Sequence, residues 1–276
     1  MTSFMTSMRV IVLGGTGTIG KALVKRAIKE TAFKIRVFSN DENGLYELQQ
    51  ELTNDNIEYI LGDIRDYHAV KNAISGMDYI FNAAGLKHVD ICDLSPIDAV
   101  YTNIIGLNNI IENLDSQCLI FISSDKAVNP SGVMGATKLI CEKLMQKGKH
   151  KSRFITIRLG NVLHSRGSIM PKIENQIKIG GPVTLTDSRM ERYFMTLDMV
   201  IDYIIKACEI GKDNIYVPKM IKFSLKTLFE NTIRESEFPD TQIKEIGIRK
   251  GEKLSEELLS DLEKESCIET KEFFII

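Results

Sequence analysis

An aspartate and a lysine, Asp125 and Lys126, stand side by side in a short polar segment that follows an apolar run. A carboxyl group can act as a general acid or base, and burial or a nearby cation can lower the pKa of a lysine until it acts as a base. A further lysine, Lys138, lies in the next helical pattern and can supply that cation. The pair therefore predicts proton-transfer chemistry, with an exposed turn before Pro130 as the alternative interpretation.

Three glycines, Gly14, Gly17 and Gly20, separate an apolar run from an amphipathic helical pattern. In a dinucleotide-binding turn the first glycine permits a tight turn, the second lets the backbone approach a pyrophosphate, and the third lets the helix pack closely. The amides at the helix N-terminus then donate to the phosphates. We therefore expect a nicotinamide dinucleotide to bind here through Gly14, Thr16, Gly17, Thr18, Ile19 and Gly20.

The end of the second predicted strand distinguishes NAD from NADP. An acidic side chain there hydrogen-bonds the ribose 2′-hydroxyl of NAD and repels the 2′-phosphate of NADP. This strand ends at Ser39 and Asn40, neither of them acidic, which favours NADP. NAD stays open as the alternative, because no arginine follows in the sequence to bind the phosphate. We expect Asp63 and Ile64, after the third strand, to face the adenine, although a helix cap is an equally good interpretation of Asp63.

Short apolar strands alternate with helical patterns over the first 165 residues, and this alternation must position the polar residues. The predicted strands cover residues 8–13, 34–39, 57–64, 78–84, 118–124 and 153–162. The predicted helices cover residues 21–30, 66–76, 96–114 and 133–148. This pattern predicts an α/β fold with a doubly wound parallel sheet, the Rossmann arrangement.

The alternation loosens after about residue 165, where glycine- and proline-containing loops begin. We therefore expect an NADP-binding Rossmann domain over residues 8–165 and a smaller substrate-binding lobe over residues 166–276, interleaved with the first domain. The tail over residues 255–276 is rich in glutamate and ends in FFII. It is either a solvated helix with an apolar anchor or a contact with another subunit.

The composition argues against several classes of protein. The 276 residues carry 35 basic and 37 acidic side chains, so no strong positive field is available to bind nucleic acid. The five cysteines include no Cys-x-x-Cys pair and the four histidines lack ligand spacing, so we expect neither a disulfide scaffold nor a metal site. No apolar run approaches the ~20 residues of a membrane helix. The sequence thus predicts a cytoplasmic protein without a membrane partner.

The chain resembles the extended short-chain dehydrogenase/reductases and, among them, the UDP-N-acetylglucosamine 4,6-dehydratases of polysaccharide biosynthesis. The resemblance rests on the segments SSDKAVNP (123–130), VMGATK (133–138), MERYFMT (190–196) and IGIRKGEKL (246–254). The general pattern has a tyrosine four residues before the lysine that matches Lys138, and one branch of the dehydratases has methionine there, as Met134 does here. A thioether cannot accept a proton at pH 7, so proton transfer falls to Asp125 and Lys126.

The resemblance implies a 4,6-dehydration with assigned roles. Hydride leaves C4 of the sugar for the cofactor, the C5 proton is removed, water departs from C6, and the hydride returns to C6. Retention and inversion at C5 both stay open. By this resemblance Lys126 would remove the C5 proton, and Asp125 would protonate the departing C6 hydroxyl. Ser124 would hold the C4 oxygen, and Lys138 would hold the nicotinamide ribose.

The resemblance also implies contacts with a UDP-sugar. The matching positions are Asn161, Arg192 and Arg249 for the diphosphate and nucleotide, and Glu252 for the ribose. After the fourth predicted strand, the positions expected to lie against the cofactor are Ala83, Ala84 and Lys87.

Two other functions stay open. A UDP-sugar C4 epimerase would share the fold, the cofactor and the UDP contacts, but it normally depends on the tyrosine that Met134 replaces. A non-catalytic NADP-sensing protein would explain Met134 but not the retained Asp125, Lys126 and Lys138. We also expect a homo-oligomer, a dimer or larger, because helices beside the 96–114 segment often pair in related enzymes.

Overall fold

A nine-stranded sheet forms the centre of the structure, a computed structural model that describes residues 4–147, 152–249 and 251–276. The strands, in chain order, are β1 (Arg9–Leu13), β2 (Lys34–Ser39), β3 (Ile57–Leu61), β4 (Tyr79–Asn82), β5 (Cys118–Ser124), β6 (Arg153–Leu159), β7 (Asn161–Val162), β8 (Val183–Leu185), β9 (Glu191–Met195), β10 (Asn214–Pro218), β11 (Ile221–Ser224), β12 (Ile243–Glu245), β13 (Ile268–Glu269) and β14 (Phe273–Ile275). The α-helices are α1 (Thr18–Lys29), α2 (Glu42–Glu51), α3 (Tyr67–Ile74), α4 (Val89–Leu94), α5 (Pro96–Ala99), α6 (Gly106–Glu112), α7 (Val133–Lys147), α8 (Ile169–Lys178), α9 (Leu197–Ile210), α10 (Leu225–Arg234) and α11 (Asp261–Ser266).

The central sheet has the doubly wound arrangement that the sequence predicts. Its strands lie in the order β13-β14-β10-β6-β5-β4-β1-β2-β3, and the pairs from β3 to β10 are all parallel. The winding direction reverses between β1 and β4, and in such sheets a ligand cleft opens at the carboxyl ends of the strands where the reversal occurs. The predicted α/β fold is confirmed.

The two faces of β1 pack against different helices. Val10 and Val12 contact the apolar layer that contains α1 and α9, whereas Ile11 and Leu13 contact the layer that contains α3 and α6. Burial on both faces explains why the strand is apolar throughout rather than alternating. A strand held from both sides gives the turn that follows it a fixed position.

A second lobe lies beside the ends of β5 and β6. It contains a sheet of β7, β9 and β11, a pair of β8 and β12, and the helices α8 and α10, which pack together through Ile173, Leu185 and Phe229. The chain then returns to the central sheet, where α9 packs against α1 and β10 pairs with β6. The lobe is therefore built from segments before α9 and after β10, rather than from everything beyond residue 165.

The predicted and observed helices differ over residues 42–51 and 96–114. The predicted helix over residues 96–114 is divided into α5 and α6 by a π-helical turn, Val100–Ile105. The α2 helix is not among the predicted elements, because only Leu45 and Leu48 of its side chains are buried and the apolar pattern is weak. Asp41 caps this helix by accepting a hydrogen bond from the Gly44 amide.

The tail combines a short helix with an apolar anchor in the chain's own sheet. α11 begins at a capping box formed by Ser260 and Glu263. β14 then pairs antiparallel with β10, which buries Phe273 to 1% exposure. The end of the chain therefore contributes to the central core.

Candidate active site

The glycine turn between β1 and α1 leaves bare backbone where a cofactor would approach. An added Cβ would lie 2.7 Å from the backbone of Ala84 at Gly14, and 2.1 Å from the Gly14 carbonyl oxygen at Gly20. Packing within the protein thus requires both of these glycines. At Gly17 an added Cβ would meet a single atom, the Gly14 oxygen at 3.3 Å. Gly17 therefore leaves space in the cleft for a ligand to approach its backbone.

This turn fits the pyrophosphate of a dinucleotide. Gly17 is the N-cap residue of α1 and has no side chain to accept from the N–H groups of residues 18–20, so these donors suit phosphate oxygens. The first turn of α1 has no acidic residue to repel an anion. Thr16 Oγ1 lies 2.8 Å from Ser39 Oγ, which joins the turn to the end of β2.

A carboxylate and a guanidinium meet just beyond the end of β2. Arg166 Nη1 donates to Asp41 Oδ2 at 3.1 Å. Hydrogen bonds from the Gly44 amide and from Arg166 lower the pKa of Asp41. The backbone N–H of Arg166 donates to Thr18 Oγ1 at 2.9 Å, so a residue from beyond β7 lies over the start of α1.

The segments that follow β2 and β3 meet through Asn40 and Asp63. Asn40 Nδ2 donates to Asp63 Oδ2 at 3.3 Å, and the Arg65 guanidinium contacts both oxygens of Asp63. The hydrogen bond from Arg65 lowers the pKa of Asp63 and outweighs the effect of burial. The helix-cap interpretation of Asp63 is wrong, because Asp66 caps α3. The side chain of Ile64 is buried in the core, which leaves its backbone as the part that could reach an adenine.

The segment after β4 lies against the glycine turn. The Ala83 N–H donates to the Leu13 carbonyl at 2.9 Å, and Ala84 occupies the space beside Gly14. Lys87 Nζ donates to the carbonyl oxygen of Arg166 at 2.7 Å, and burial lowers the pKa of Lys87. These contacts enclose the cleft from the side opposite β2.

Lys138 is buried at the carboxyl end of β5. Its Nζ donates to the Ile122 carbonyl at 2.8 Å and lies 4.7 Å from the centroid of the Phe121 ring. Burial lowers the pKa of Lys138. A Cβ added at Gly85 would lie 3.5 Å from this Nζ, so the ammonium faces the segment after β4 that lines the cleft.

Asn103 holds the segment that follows β4 through hydrogen bonds with Leu86. Its side chain accepts from the Leu86 N–H at 2.8 Å and donates to the Leu86 carbonyl and to Thr137 Oγ1. The residue belongs to the π-helical turn between α5 and α6, and such turns often occur at functional sites. Asn103 thereby fixes the distance between the β4 side of the cleft and α7.

Asp125 and Lys126 form an ion pair at the end of β5, in which Asp125 is buried and Lys126 is 23% exposed. Asp125 Oδ1 accepts from Lys126 Nζ at 3.0 Å and from Ser124 Oγ at 2.9 Å. The Asp125 side chain is 0% exposed, and its Oδ2 has no hydrogen-bond partner within the described residues. The exposed-turn interpretation is therefore wrong. A carboxylate and an ammonium at this distance can exchange a proton.

Lys126 also faces two acceptors from other parts of the chain. Its Nζ donates to Asn161 Oδ1 at 3.2 Å and lies 3.9 Å from Glu256 Oε1. Glu256 is buried, and its Oε2 lies 3.6 Å from Lys253 Nζ without a hydrogen-bond partner in the described part of the chain. Two buried carboxylates thus flank one lysine at the edge of the lobe.

Met134 lies outside this polar cluster. It is 2% exposed and packs with Cys92 and Ala99, one turn of α7 before Lys138. It is not among the described residues that line the cavity beside Lys126. The side chain therefore fills an apolar space rather than contacting the reacting groups.

A cavity of about 240 Å³ lies between Lys126 and the second lobe. It brings together all four predicted substrate residues, Asn161, Arg192, Arg249 and Glu252. Its described lining has five basic and two acidic side chains, which are Lys126, Lys172, Arg192, Arg249, Lys253, Glu252 and Glu256. This positive balance suits an anionic ligand such as a diphosphate.

The two predicted arginines of the cavity differ in their surroundings. Arg192 is 6% exposed and donates to the carbonyls of Lys253 and Leu254 at 2.8 and 3.1 Å. It therefore holds the late GEKL segment against β9 as well as lining the cavity. Arg249 is largely exposed, with Nη1 3.8 Å from Glu252 Oε1, and it can turn toward a ligand.

The residues of the site that are absent from the sequence-based prediction include Asn103, Arg166 and Glu256. Asn103 lies in a π-helical turn, which the sequence pattern over residues 96–114 does not distinguish from an α-helix. Arg166 and Glu256 reach the cleft from distant segments, and a lone arginine or glutamate in a loop is usually a solvated residue. Their position follows from the tertiary structure alone.

Comparisons with known proteins show the family of this chain. The family described as polysaccharide biosynthesis protein matches residues 10–276. An uncharacterized membrane protein of Methanocaldococcus jannaschii is 42% identical over 291 residues, which cover 100% of this chain and 87% of the relative. Within the described ranges, no helix of this chain has the length and apolar character needed to cross a membrane.

Two further proteins are similar over most of their length. A protein named UDP-glucose 4-epimerase from Rickettsia bellii is 35% identical, covering 92% of this chain and 78% of the relative. The X-ray structure of Pen from Bacillus thuringiensis has a TM-score of 0.95 and 38% identity, covering 99% of this chain and 88% of that one.

Proposed function

The chain belongs to the polysaccharide biosynthesis protein family, and we propose that it is a 4,6-dehydratase acting on UDP-N-acetylglucosamine with a recycled nicotinamide cofactor, NADP in preference to NAD. The single observation that carries this proposal is the ion pair between the buried Asp125 and the partly exposed Lys126, beside a cation-lined cavity. An acid and a base held next to each other are what the removal of water from a sugar requires.

The bound nicotinamide would accept hydride from C4 of the sugar and return it to C6. Lys138 would hold the nicotinamide ribose, because its buried ammonium faces the cleft. The glycine turn and the start of α1 would hold the pyrophosphate. Arg192 and Arg249, with Asn161, would hold the UDP moiety in the cavity, and Glu252 would accept from its ribose.

The Asp125–Lys126 pair, in contact at 3.0 Å, would supply all the proton transfers if Lys126 starts as the free amine and Asp125 as the carboxylate. Asp125 would take the C4 hydroxyl proton as hydride leaves C4, Lys126 would take the C5 proton, and Asp125 would then give its proton to the C6 hydroxyl, which leaves as water. When hydride returns to C6, Lys126 would return a proton to C5, and both groups would regain their starting charges. Because Asp125 is fully buried, Ser124 Oγ, bonded to it at 2.9 Å and partly exposed, would carry the proton to the substrate.

Product mass tests this proposal against its alternatives. The purified protein, supplied with NADP⁺ and UDP-N-acetylglucosamine, should yield a nucleotide sugar lighter by one water. A product of unchanged mass with a new sugar would indicate an epimerase, and no turnover would favour a non-catalytic sensor. The configuration at C5 can be read from the same product by NMR.

A UDP-sugar C4 epimerase is the second candidate. The names of the Rickettsia relatives support it. Met134 does not separate the two candidates, because both reactions remove a proton from the C4 hydroxyl and a buried thioether packed on Cys92 and Ala99 can accept it in neither. The dehydratase has a use for both members of the Asp125–Lys126 pair, whereas the epimerase does not.

We also propose a homo-oligomeric, cytoplasmic enzyme. Large apolar side chains are exposed on three consecutive segments, α4, α5 and the π-helical turn: Leu94 at 80%, Ile97 at 65% and Tyr101 at 53%. Contiguous exposed apolar side chains are typical of subunit contacts. Nucleotide sugars and nicotinamide cofactors are both available in the cytoplasm.

A further inference from the structure

Arg166 is fixed across the cofactor cleft by contacts with three separate segments. Its Nη1 donates to Asp41 after β2, its backbone N–H donates to Thr18 at the start of α1, and its carbonyl accepts from Lys87 after β4. The distances are 3.1, 2.9 and 2.7 Å. The following residue, Gly167, lines the substrate cavity. Arg166 therefore lies at the junction of the glycine turn, the end of β2 and the second lobe.

In this fold, a residue just beyond β2 contacts the ribose of the adenosine and distinguishes a 2′-hydroxyl from a 2′-phosphate. A carboxylate there hydrogen-bonds a 2′-hydroxyl, whereas a guanidinium binds a 2′-phosphate with two parallel hydrogen bonds. This chain has one group of each kind in contact, Asp41 and Arg166. The sequence alone offers no arginine near Ser39, but the tertiary structure brings one there from the other lobe.

Breaking the Asp41–Arg166 ion pair, so that Arg166 binds another anion, should cost the protein little stability. The Arg166 side chain is 77% exposed, and exposed ion pairs contribute little to stability. The other arginines near this edge are engaged more firmly: Arg36 with Glu58 and two backbone carbonyls, and Arg65 with both oxygens of Asp63. Arg166 is thus the guanidinium best able to change partner.

We propose that Arg166 selects NADP over NAD, by leaving Asp41 and binding the ribose 2′-phosphate. This inference rests on the proposed nicotinamide function of the same cleft. Asp41 would instead favour NAD, since its carboxylate accepts a hydrogen bond from the 2′-hydroxyl of NAD and repels the 2′-phosphate of NADP. Because Arg166 also contacts Thr18 and Lys87, a bound 2′-phosphate would hold the second lobe against the cofactor.

Calorimetric titration of the full chain with NADP⁺ and with NAD⁺ tests this proposal without measuring turnover. Arg166→Ala should weaken NADP⁺ binding by about 10- to 100-fold, the loss expected for charged hydrogen bonds, and change NAD⁺ binding by less than about threefold. Asp41→Asn keeps an acceptor for the Gly44 amide, so α2 stays capped. It should move the ratio of the two affinities further toward NADP⁺.

Two arginines serve as comparisons. Arg9 pairs with Asp78 at the amino ends of β1 and β4, whereas the cleft lies at the carboxyl ends of the strands. Arg9→Ala should therefore change neither affinity. A loss specific to NADP⁺ in Arg65→Ala rather than Arg166→Ala would overturn the proposal, and so would equal losses for both dinucleotides in Arg166→Ala. If the unmodified protein bound neither dinucleotide, the proposed cofactor function itself would fail, which is a different result.

Discussion

The ammonium of Lys126 lies 3.9 Å from Oε1 of Glu256, a buried carboxylate from the late segment that the buried Arg192 holds in place. Lys126 already contacts Asp125 at 3.0 Å, so one lysine stands between two buried carboxylates. Opposite charges at about 4 Å interact strongly where water is excluded. Glu256 therefore joins the late segment of the chain to the Asp125–Lys126 pair.

Deuterium incorporation tests the roles of Asp125 and Lys126. Reaction in D₂O should place solvent deuterium at C5 of the product, whereas C6 should carry the hydride that came from C4. Lys126→Ala should abolish both dehydration and exchange at C5. Asp125→Asn and Ser124→Ala should slow loss of the C6 hydroxyl while C5 exchange survives. Reversed behaviour of the Lys126 and Asp125 variants, read by NMR and mass, would exchange their roles.

Met134→Leu should keep most of the activity and cost less than about 1.5 kcal/mol of stability, because leucine nearly conserves the volume that packs on Cys92 and Ala99. Lys138→Met should lose most of the activity, since the chain length is kept but the ammonium that faces the cleft is removed. Steady-state kinetics and thermal unfolding of the two variants provide the comparison. Equal inactivation of both would reveal a role for the Met134 sulfur.

Arg158 should be the most costly single residue to remove from the core. It is 1% exposed on β6, and its guanidinium contacts Glu142, Glu263 and the Leu258 carbonyl. Arg158→Met leaves both carboxylates without their partner, which should cost about 3–5 kcal/mol in denaturant unfolding. Lys226→Met, which breaks an exposed pair with Glu230 on α10, should cost little.

The same ion pairs predict how stability depends on pH. Burial raises the pKa of Glu263, but hydrogen bonds and charge from Arg158 outweigh it, so the net shift is downward. A lowered carboxyl pKa adds stability above the unfolded value of about 4.3, and that stability is lost as the pH falls through the folded value. Denaturant unfolding from pH 6 to pH 3 should show this loss in the unmodified protein. Arg158→Met should lose less stability over that range.

The exposed apolar face should determine the oligomeric state. Ile97→Glu puts a charge in the middle of that face and should convert the oligomer to a monomer in analytical ultracentrifugation. Ile179→Glu is the control, because Ile179 is 73% exposed at the end of α8 in the other lobe. An unmodified protein that sediments as a monomer at micromolar concentration would contradict the proposed oligomer.

The sequence by itself determined the features that depend on local patterns. The continuous apolar run of β1, the glycine turn and the amphipathic α1 predict a Rossmann opening, because each pattern reports its own geometry over a few residues. The adjacency of Asp125 and Lys126 is visible in the sequence without knowledge of the fold. The burial of Asp125 follows only from the tertiary structure, because the accessibility of a turn depends on what packs over it.

Only the tertiary structure decided which distant groups meet. Arg166 reaches Asp41, and Glu256 reaches Lys126, from segments far along the chain, and neither residue carries a local pattern that distinguishes it from a solvated side chain. The π-helical turn that positions Asn103 and the pairing of β14 with β10 depend likewise on packing partners. Periodicity records which side of an element is buried, but the identity of the neighbour across a cleft is set by how the whole chain folds.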